Sequence, residues 1–237
     1  MTSSMNPKYS SLLSAFALLL FIVVILSLMV GAFSISPLSI VAILISPITS
    51  LFGNDLSNYY TNIEETIFWN IRMPRVVLGI LVGISLAVAG AAMQGLFRNP
   101  LADPGLIGVS SGAAFAAVAV IVFSGSFLGI FTLPISAFVG GVITTLLVYK
   151  LSTRDGTTSI PTMLLAGIAI GAIAGAGTGV FTYLADDDQL RTLTFWTMGS
   201  LASATWESIL SVLPLVMIAM VLLPMHARSL NAFLIGE

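Results

Sequence analysis

The stretch MQGLFRNPLADPGLIGVSSGAA, residues 93–114, places two prolines, an arginine and an aspartate between two long apolar segments. Each proline removes a backbone donor and disfavours helix at the preceding residue, so RNPLADPG cannot continue either neighbouring helix. The aspartate and the second proline precede Gly105, which is a typical start for the next helix. The sequence therefore predicts a structured turn between two helices, with Asn99, Pro100, Asp103 and Pro104 as its characteristic residues.

The composition around this turn is that of a membrane protein. The chain has 237 residues, of which 57% are hydrophobic and 8% charged, and its mean hydropathy is +1.08. A soluble domain carries roughly 25% charged residues. The formal net charge of -2 provides no basic face for nucleic acid. With no cysteine and a single histidine, His226, the sequence predicts no metal site and no cofactor.

Hydropathy predicts an all-α, polytopic transmembrane bundle that forms a single domain over residues 1–237. A helix of about 20 apolar residues crosses a hydrocarbon core of ~30 Å. Six stretches qualify or nearly qualify, and we expect the third and fourth to form a hairpin with a very tight turn. The six are residues 11–34, 76–97, 105–131, 133–151, 161–184 and 206–225.

Lysines and arginines in the short loops indicate the orientation. A cytoplasmic N terminus leaves five basic residues inside and three outside; the inside group is Lys8, Arg98, Lys150, Arg154 and Arg228, and the outside group is Arg72, Arg75 and Arg191. The acidic clusters at residues 64–65 and 186–188 then fall outside, together with all three tryptophans, which suit an interfacial belt. We therefore expect a multi-pass protein with a cytoplasmic N terminus.

The predicted membrane interior lacks ionisable groups and is rich in glycine. Residues 105–149 and 161–184 contain no Asp, Glu, Lys, Arg or His, which argues against a built-in proton or ion relay. Glycines recur every four residues along the fifth stretch and share one helix face: Gly167, Gly171, Gly175 and Gly179. This face suits close helix packing, a pathway lining, or both. Thr178, Thr182 and Tyr183 are candidate ligand contacts, although the threonine hydroxyls could instead bond back to their own helix.

The run IRMPRVVLGILVGISLAVAGAAMQGLFRNPLADPGLIGVSSGAA, residues 71–114, resembles the permease subunits of bacterial ABC importers for iron chelates, haem and cobalamin (FecCD-type). The resemblance continues through LLAGIAIGAI at 164–173, TFWTMGSL at 194–201 and LNAFLIGE at 230–237. It implies a homodimeric permease in the bacterial cytoplasmic membrane, driven by cytoplasmic ATPase subunits and supplied by an extracytoplasmic binding protein. It also implies no catalytic residues, and the sequence indeed contains no G-x-x-x-x-G-K-[ST] phosphate loop.

Members of that family have about ten transmembrane helices, so the resemblance implies either that this chain is truncated at its C-terminal end or that the remaining helices are encoded elsewhere. It also implies an ATPase-coupling role for residues matching the LNAFLIGE segment, namely Leu230, Asn231, Gly236 and Glu237. The segment 186–201 is most similar to the haem branch, so haem is the first expected ligand, a ferric siderophore the second and cobalamin the third.

Arg72 and Arg75 belong to the segment IRMPR at the outer end of the second predicted helix, and if the helix begins in this segment Pro74 lies in its first turn. The resemblance implies that acidic side chains of the binding protein dock at these two arginines. The alternative is that both extend to lipid headgroups. Two other classes of protein remain open, an ion-coupled secondary carrier and a structural or assembly membrane protein, and dependence of transport on ATP would separate them.

Overall fold

The computed structural model describes residues 7–123 and 128–226. The described chain divides into two compact units. The first contains the residues up to Gly79 together with Ser203–Trp206, and the second contains Ile80–Ala202 together with the residues from Glu207 onward. That residues 1–237 form a single domain stays a prediction.

The described residues are mainly helical. The α-helices, in chain order, are α1 (Pro7–Met29), α2 (Pro37–Leu51), α3 (Asn62–Ile67), α4 (Met73–Phe97), α5 (Val109–Val122), α6 (Thr132–Ser152), α7 (Ile160–Leu184), α8 (Asp187–Met198) and α9 (Trp206–Met225). A π-helical segment occupies Phe68–Arg72, and short 3-10 helices occupy Ser57–Tyr59, Pro104–Ile107 and Gly129–Phe131. Two short strands, β1 (Thr153–Arg154) and β2 (Thr157–Thr158), pair in antiparallel orientation.

Five helical stretches among the described residues are long and apolar enough to cross a membrane: Lys8–Met29, Asn62–Phe97, Gly129–Ser152, Ile160–Leu184 and Trp206–Met225. The predicted all-α, polytopic class is therefore confirmed. The remaining predicted stretch, residues 105–131, differs, because its α-helix α5 has only 14 residues. Residues 123–131 then separate α5 from α6, so the connection between them is longer than the tight turn that the sequence predicted.

The first unit has its core between α1, α2 and the π-helical segment. Helix α2 begins where local signals place it, because Ser36 accepts a hydrogen bond from the Ser39 N–H and Pro37 occupies the first turn. The buried cluster in this unit consists of Leu28, Ile35, Ile40, Ile43 and Phe68.

The helix predicted to begin at residue 76 begins earlier, and the physical reason is a capping box. The Thr61 side chain accepts from the Glu64 N–H while Glu64 accepts from the Thr61 N–H, which starts a helical stretch that continues to Phe97. Pro74 consequently lies inside this stretch, where it supplies no N–H. The π-helical segment ends at Arg72, two residues before Pro74. At its end the Met73 N–H bonds to the Phe68 carbonyl, five residues back.

The second unit has its core where α5, α6 and α7 pack together. Its buried cluster consists of Met93, Ala102, Ile107, Val148 and Met163. A two-residue hairpin joins α6 to α7, and its turn residues Asp155 and Gly156 have φ values of 51° and 78°. Positive φ at both positions is what a type I′ turn requires, and Asp-Gly is a preferred sequence for it.

Candidate functional site: the RNPLADPG turn, the glycine contacts and the arginine pair

The RNPLADPG turn begins by closing the end of α4. The Asn99 N–H bonds to the Gln94 carbonyl at 3.2 Å, and the Arg98 N–H bonds to the Gly95 carbonyl at 3.4 Å. This bonding pattern is a Schellman motif, in which the residue after the helix adopts a left-handed conformation. Arg98 occupies that position with a φ of 51°, although glycine is the usual residue there.

The two polar residues predicted to characterise the turn hold its backbone. Asn99 accepts a hydrogen bond from the Leu101 N–H at 2.9 Å through its side chain, and its carbonyl accepts from Ala102 at 3.1 Å. Pro100 therefore lies in the second position of a hydrogen-bonded turn, where its fixed φ is favourable. Asp103 caps the 3-10 helix that starts at Pro104, because its Oδ1 accepts from the Gly105 N–H at 2.7 Å. All four residues thus shape the turn.

Replacing Asp103 by alanine is expected to cost about 1 kcal/mol of unfolding free energy, because loss of the cap leaves the Gly105 N–H without its partner. Asparagine at the same position retains an acceptor oxygen and should lose much less. Denaturant unfolding of the detergent-solubilised protein measures both differences. Equal losses for the alanine and asparagine variants would contradict the capping role.

Helices α5 and α6 meet through their backbones at Gly112 and Gly140. A Cβ at Gly112 would overlap the Thr144 side chain and lie 2.7 Å from the Gly140 carbonyl oxygen. A Cβ at Gly140 would in turn overlap the Gly112 carbonyl oxygen. The two helices therefore pack backbone against backbone here, and only glycine fits on either side of this contact.

The predicted glycine face of α7 divides into a packed half and an open half. Gly167 lies against the 3-10 helix, where a Cβ would overlap the Leu106 carbonyl oxygen. A Cβ at Gly171 would make an ordinary contact with the Ser111 Oγ at 3.4 Å, whereas at Gly175 and Gly179 it would have no heavy atom within 4 Å. Packing thus accounts for the first half of the face only.

The two candidate threonines bond back to their own helix. The Thr178 hydroxyl donates to the Ala174 carbonyl at 2.9 Å, and the Thr182 hydroxyl donates to the Thr178 carbonyl at 2.8 Å. Each hydroxyl oxygen still has acceptor capacity. Tyr183 is 88% exposed in the described chain. A role of these three residues in ligand contact stays a prediction.

The structure separates the two arginines of the IRMPR segment. Arg72 is buried, with 7% of its surface exposed, and its guanidinium donates to the Leu28 and Phe33 carbonyls. Arg75 is exposed. Both line a cavity of about 330 Å³ in the first unit, next to the residues that follow α1. Sequence reasoning treated the two as equivalent, and their different burial could not be read from their spacing.

Sequence reasoning missed three residues that position these elements. Gly140 and Thr144 form the α6 side of the glycine contact, for which the Gly-Gly pair at 140–141 was the available signal. Gln189 donates through Nε2 to the Val122 carbonyl at 3.0 Å, which ties α8 to the end of α5. The available signal there was the capping box of Asp186 and Gln189.

The coupling residues Leu230, Asn231, Gly236 and Glu237 lie outside the described residues, as does Arg228. Within residues 7–123 and 128–226, no group of three or more His, Asp or Glu side chains is arranged to hold a metal ion.

Long apolar helices that meet through glycines define a polytopic all-α membrane protein. The FecCD transport family matches residues 19–237, and the chain belongs to that family. The hemin transport system permease protein HmuU of Yersinia pestis is 44% identical over 192 residues, which are 79% of this chain and 57% of the relative. The cobalamin import system permease protein BtuC of Halobacterium salinarum is 42% identical over 173 residues, which are 73% of this chain and 46% of the relative.

A third relative, the iron(3+)-hydroxamate import system permease protein FhuG of Bacillus subtilis, is 31% identical over 93% of this chain and 63% of its own length. Among solved structures, an inward-facing conformation assigned to a metal-chelate type ABC transporter has a TM-score of 0.77 and 27% identity, covering 95% of this chain and 65% of that one. This chain therefore spans about half to two thirds of the length of the proteins that it matches.

Proposed function

We propose that this chain forms part of the permease of an ATP-binding-cassette importer that moves haem or a ferric siderophore across the bacterial cytoplasmic membrane. The observation that carries the proposal is the family match over residues 19–237, together with a helix arrangement similar to that of an ABC transporter of the metal-chelate type. The chain itself would not be an enzyme, since hydrolysis of ATP would belong to a separate subunit.

Haem is the first ligand of this proposal, because the haem permease HmuU shares 44% of the aligned residues. A ferric siderophore is the second, supported by the hydroxamate permease FhuG, and cobalamin is the alternative within the same family. A large amphipathic ligand needs a wide and mostly apolar path. The open half of the α7 face, at Gly175 and Gly179, offers an uncharged wall of this kind.

The proposed partners are a second copy of the permease, cytoplasmic ATPase subunits at residues 230–237, and an extracytoplasmic binding protein at Arg72 and Arg75. This arrangement requires a cytoplasmic N terminus and an external IRMPR segment. A hydrogen bond supports placing Trp69 and Trp206 on the same side of the membrane. The Trp206 indole donates to the Trp69 carbonyl at 2.9 Å. Tryptophans of this kind are enriched at membrane interfaces.

Uptake by proteoliposomes or cells that contain the complete transporter tests this proposal. We expect haem uptake that requires both ATP and this chain, and growth on haem iron that stops when the chain is deleted. Uptake that survives loss of ATP but stops when the ion gradient is abolished would indicate a secondary carrier. Loss of growth on siderophore iron, with growth on haem intact, would reverse the order of the two ligands.

A further inference from the structure

Helices α5 and α6 form an apolar groove beside their glycine contact. The groove has a volume of about 400 Å³, and its lining includes Val109 and Ala113 of α5 and Ala137, Gly141, Val142 and Leu146 of α6. Of the described residues in this lining, Thr145 alone has a polar side chain, and its hydroxyl donates to the Gly141 carbonyl at 2.8 Å. The groove therefore presents an almost wholly hydrocarbon surface to its occupant.

The length of the groove matches one leaflet of a bilayer. Ala137 and Leu146 are the outermost residues of α6 in the lining, and they lie about 14 Å apart along the helix axis. Half of a bilayer's hydrocarbon core is about 15 Å thick. Phe138 and Leu146 are both exposed in the described chain. A lipid acyl chain that extends along α6 would therefore fill the groove over most of its own length.

The groove ends beside a basic and aromatic region at the C-terminal end of α6. Tyr149 is exposed and continues the groove stripe of α6, four residues after Thr145. Lys150 is exposed and follows Leu146 by one turn, about 6 Å further along the axis. Tyrosine and lysine at a helix end mark the depth of the lipid headgroups.

The charge at this end favours an anionic headgroup. Residues 149–158 contain two basic side chains, Lys150 and Arg154, and one acidic side chain, Asp155. All three are exposed. A lysine at the membrane surface attracts a phosphate that keeps its negative charge, whereas a choline headgroup adds a compensating positive charge.

We propose that the groove between α5 and α6 binds one acyl chain of an anionic phospholipid, whose headgroup is held by Lys150. The groove supplies the apolar contact and the lysine supplies the preference for negative charge. The proposal goes beyond the transport function, because it assigns a lipid site on a surface that needs neither ATP nor a transported ligand.

Photoreactive lipids test this site in the complete transporter, reconstituted in nanodiscs. The probes are phosphatidylglycerol and phosphatidylcholine with the same photoreactive acyl chain, and mass spectrometry of the peptides locates the labelled residues. We expect the phosphatidylglycerol probe to label residues 137–146 about fivefold more than the phosphatidylcholine probe, the effect of one basic side chain near an anionic headgroup.

Two substitutions separate the headgroup contact from the acyl contact. Lys150→Gln should lower labelling by the phosphatidylglycerol probe to the level of the phosphatidylcholine probe. Arg191→Gln, at an exposed arginine of α8, is the control for loss of a positive charge and should change neither. Val142→Trp should reduce labelling by both probes about tenfold, the effect of losing contacts to about two methylene groups. Val139→Trp is its control, because Val139 is similarly exposed (46% against 39%) but lies outside the groove.

Each result decides for or against the proposal. Equal labelling by both probes in the parent would show ordinary bilayer lipid at this surface and overturn the site. A preference for phosphatidylglycerol that survives Lys150→Gln would overturn the headgroup contact. A structural role of Lys150 in the last turn of α6 would change labelling by both probes, which also contradicts the proposal. Failure of either probe to label residues 137–146 would show that protein covers the groove. Failure of the proposed transport function would leave these labelling results unaffected.

Discussion

Replacing Gly112 by valine is expected to lower the free energy of unfolding by about 3 kcal/mol, the upper part of the range for overpacked cores. Gly112 is buried, and even a Cβ there would overlap the Thr144 side chain and lie 2.7 Å from the Gly140 carbonyl oxygen. The carbonyl belongs to the α6 backbone, so relief requires α5 and α6 to move apart. Denaturant or thermal unfolding in detergent measures the loss.

Alanine at the same position tests the sign of the change in unfolding free energy. In a helix alanine is more favourable than glycine by about 1 kcal/mol, so an uncrowded glycine replaced by alanine should stabilise the protein. Gly175→Ala is the matched control, because no heavy atom lies within 4 Å of its Cβ position. We expect Gly112→Ala to destabilise and Gly175→Ala to stabilise. Changes of the same sign in both variants would show that α5 and α6 do not meet at Gly112.

The long helices of this protein could be predicted because a helix that crosses a lipid bilayer has an apolar composition along its length. The predicted stretches 133–151 and 161–184 agree with α6 and α7 to within a residue or two at each end. A search for apolar stretches of about 20 residues finds neither α2, which is apolar but has only 15 residues, nor α8, which has 12 residues. Their starts were encoded in local capping signals instead, at Ser36 with Pro37 and at Asp186 with Gln189.

The candidate site could be predicted only where one helix determines the geometry. Periodicity placed four glycines on one face of α7, but whether each glycine is packed depends on the neighbouring helix. Gly167 meets the Leu106 backbone, whereas Gly179 has no neighbour within 4 Å of its Cβ position. The burial of Arg72 similarly depends on carbonyls at Leu28 and Phe33, more than 30 residues away. Spacing within one segment contains no signal for such a contact.

Replacing Phe68 by alanine is the second large effect that we expect, with a loss of about 3 kcal/mol or more in the free energy of unfolding. Phe68 is 0% exposed and belongs to the buried cluster with Leu28, Ile35 and Ile43. Its ring also packs edge-on against Trp69, with centroids 5.1 Å apart. Alanine would leave a cavity at the point where α1, α2 and the π-helical segment meet.

The reason for the expected size of this loss is packing rather than transfer from water. In an apolar lipid environment, burial of a side chain gains little from the hydrophobic effect, so association of the helices depends on van der Waals contact. A ring that is fully surrounded makes many such contacts, and a cavity loses them outright.

The matched control is Ile63→Ala, in the same helical stretch. Ile63 is 62% exposed, so its replacement should change the unfolding free energy by less than about 0.5 kcal/mol. Because Phe68 begins the π-helical segment that ends at Arg72, its loss should also loosen the hydrogen bonds from Arg72 to the Leu28 and Phe33 carbonyls. Maleimide labelling of an introduced Ile35→Cys measures this loosening, because Ile35 is only 2% exposed and the chain has no other cysteine. Phe68→Ala should raise the labelling rate, whereas Ile63→Ala should leave it at the parent rate. Equal stability of the two alanine variants would mean that the cluster around Phe68 does not hold the first unit together.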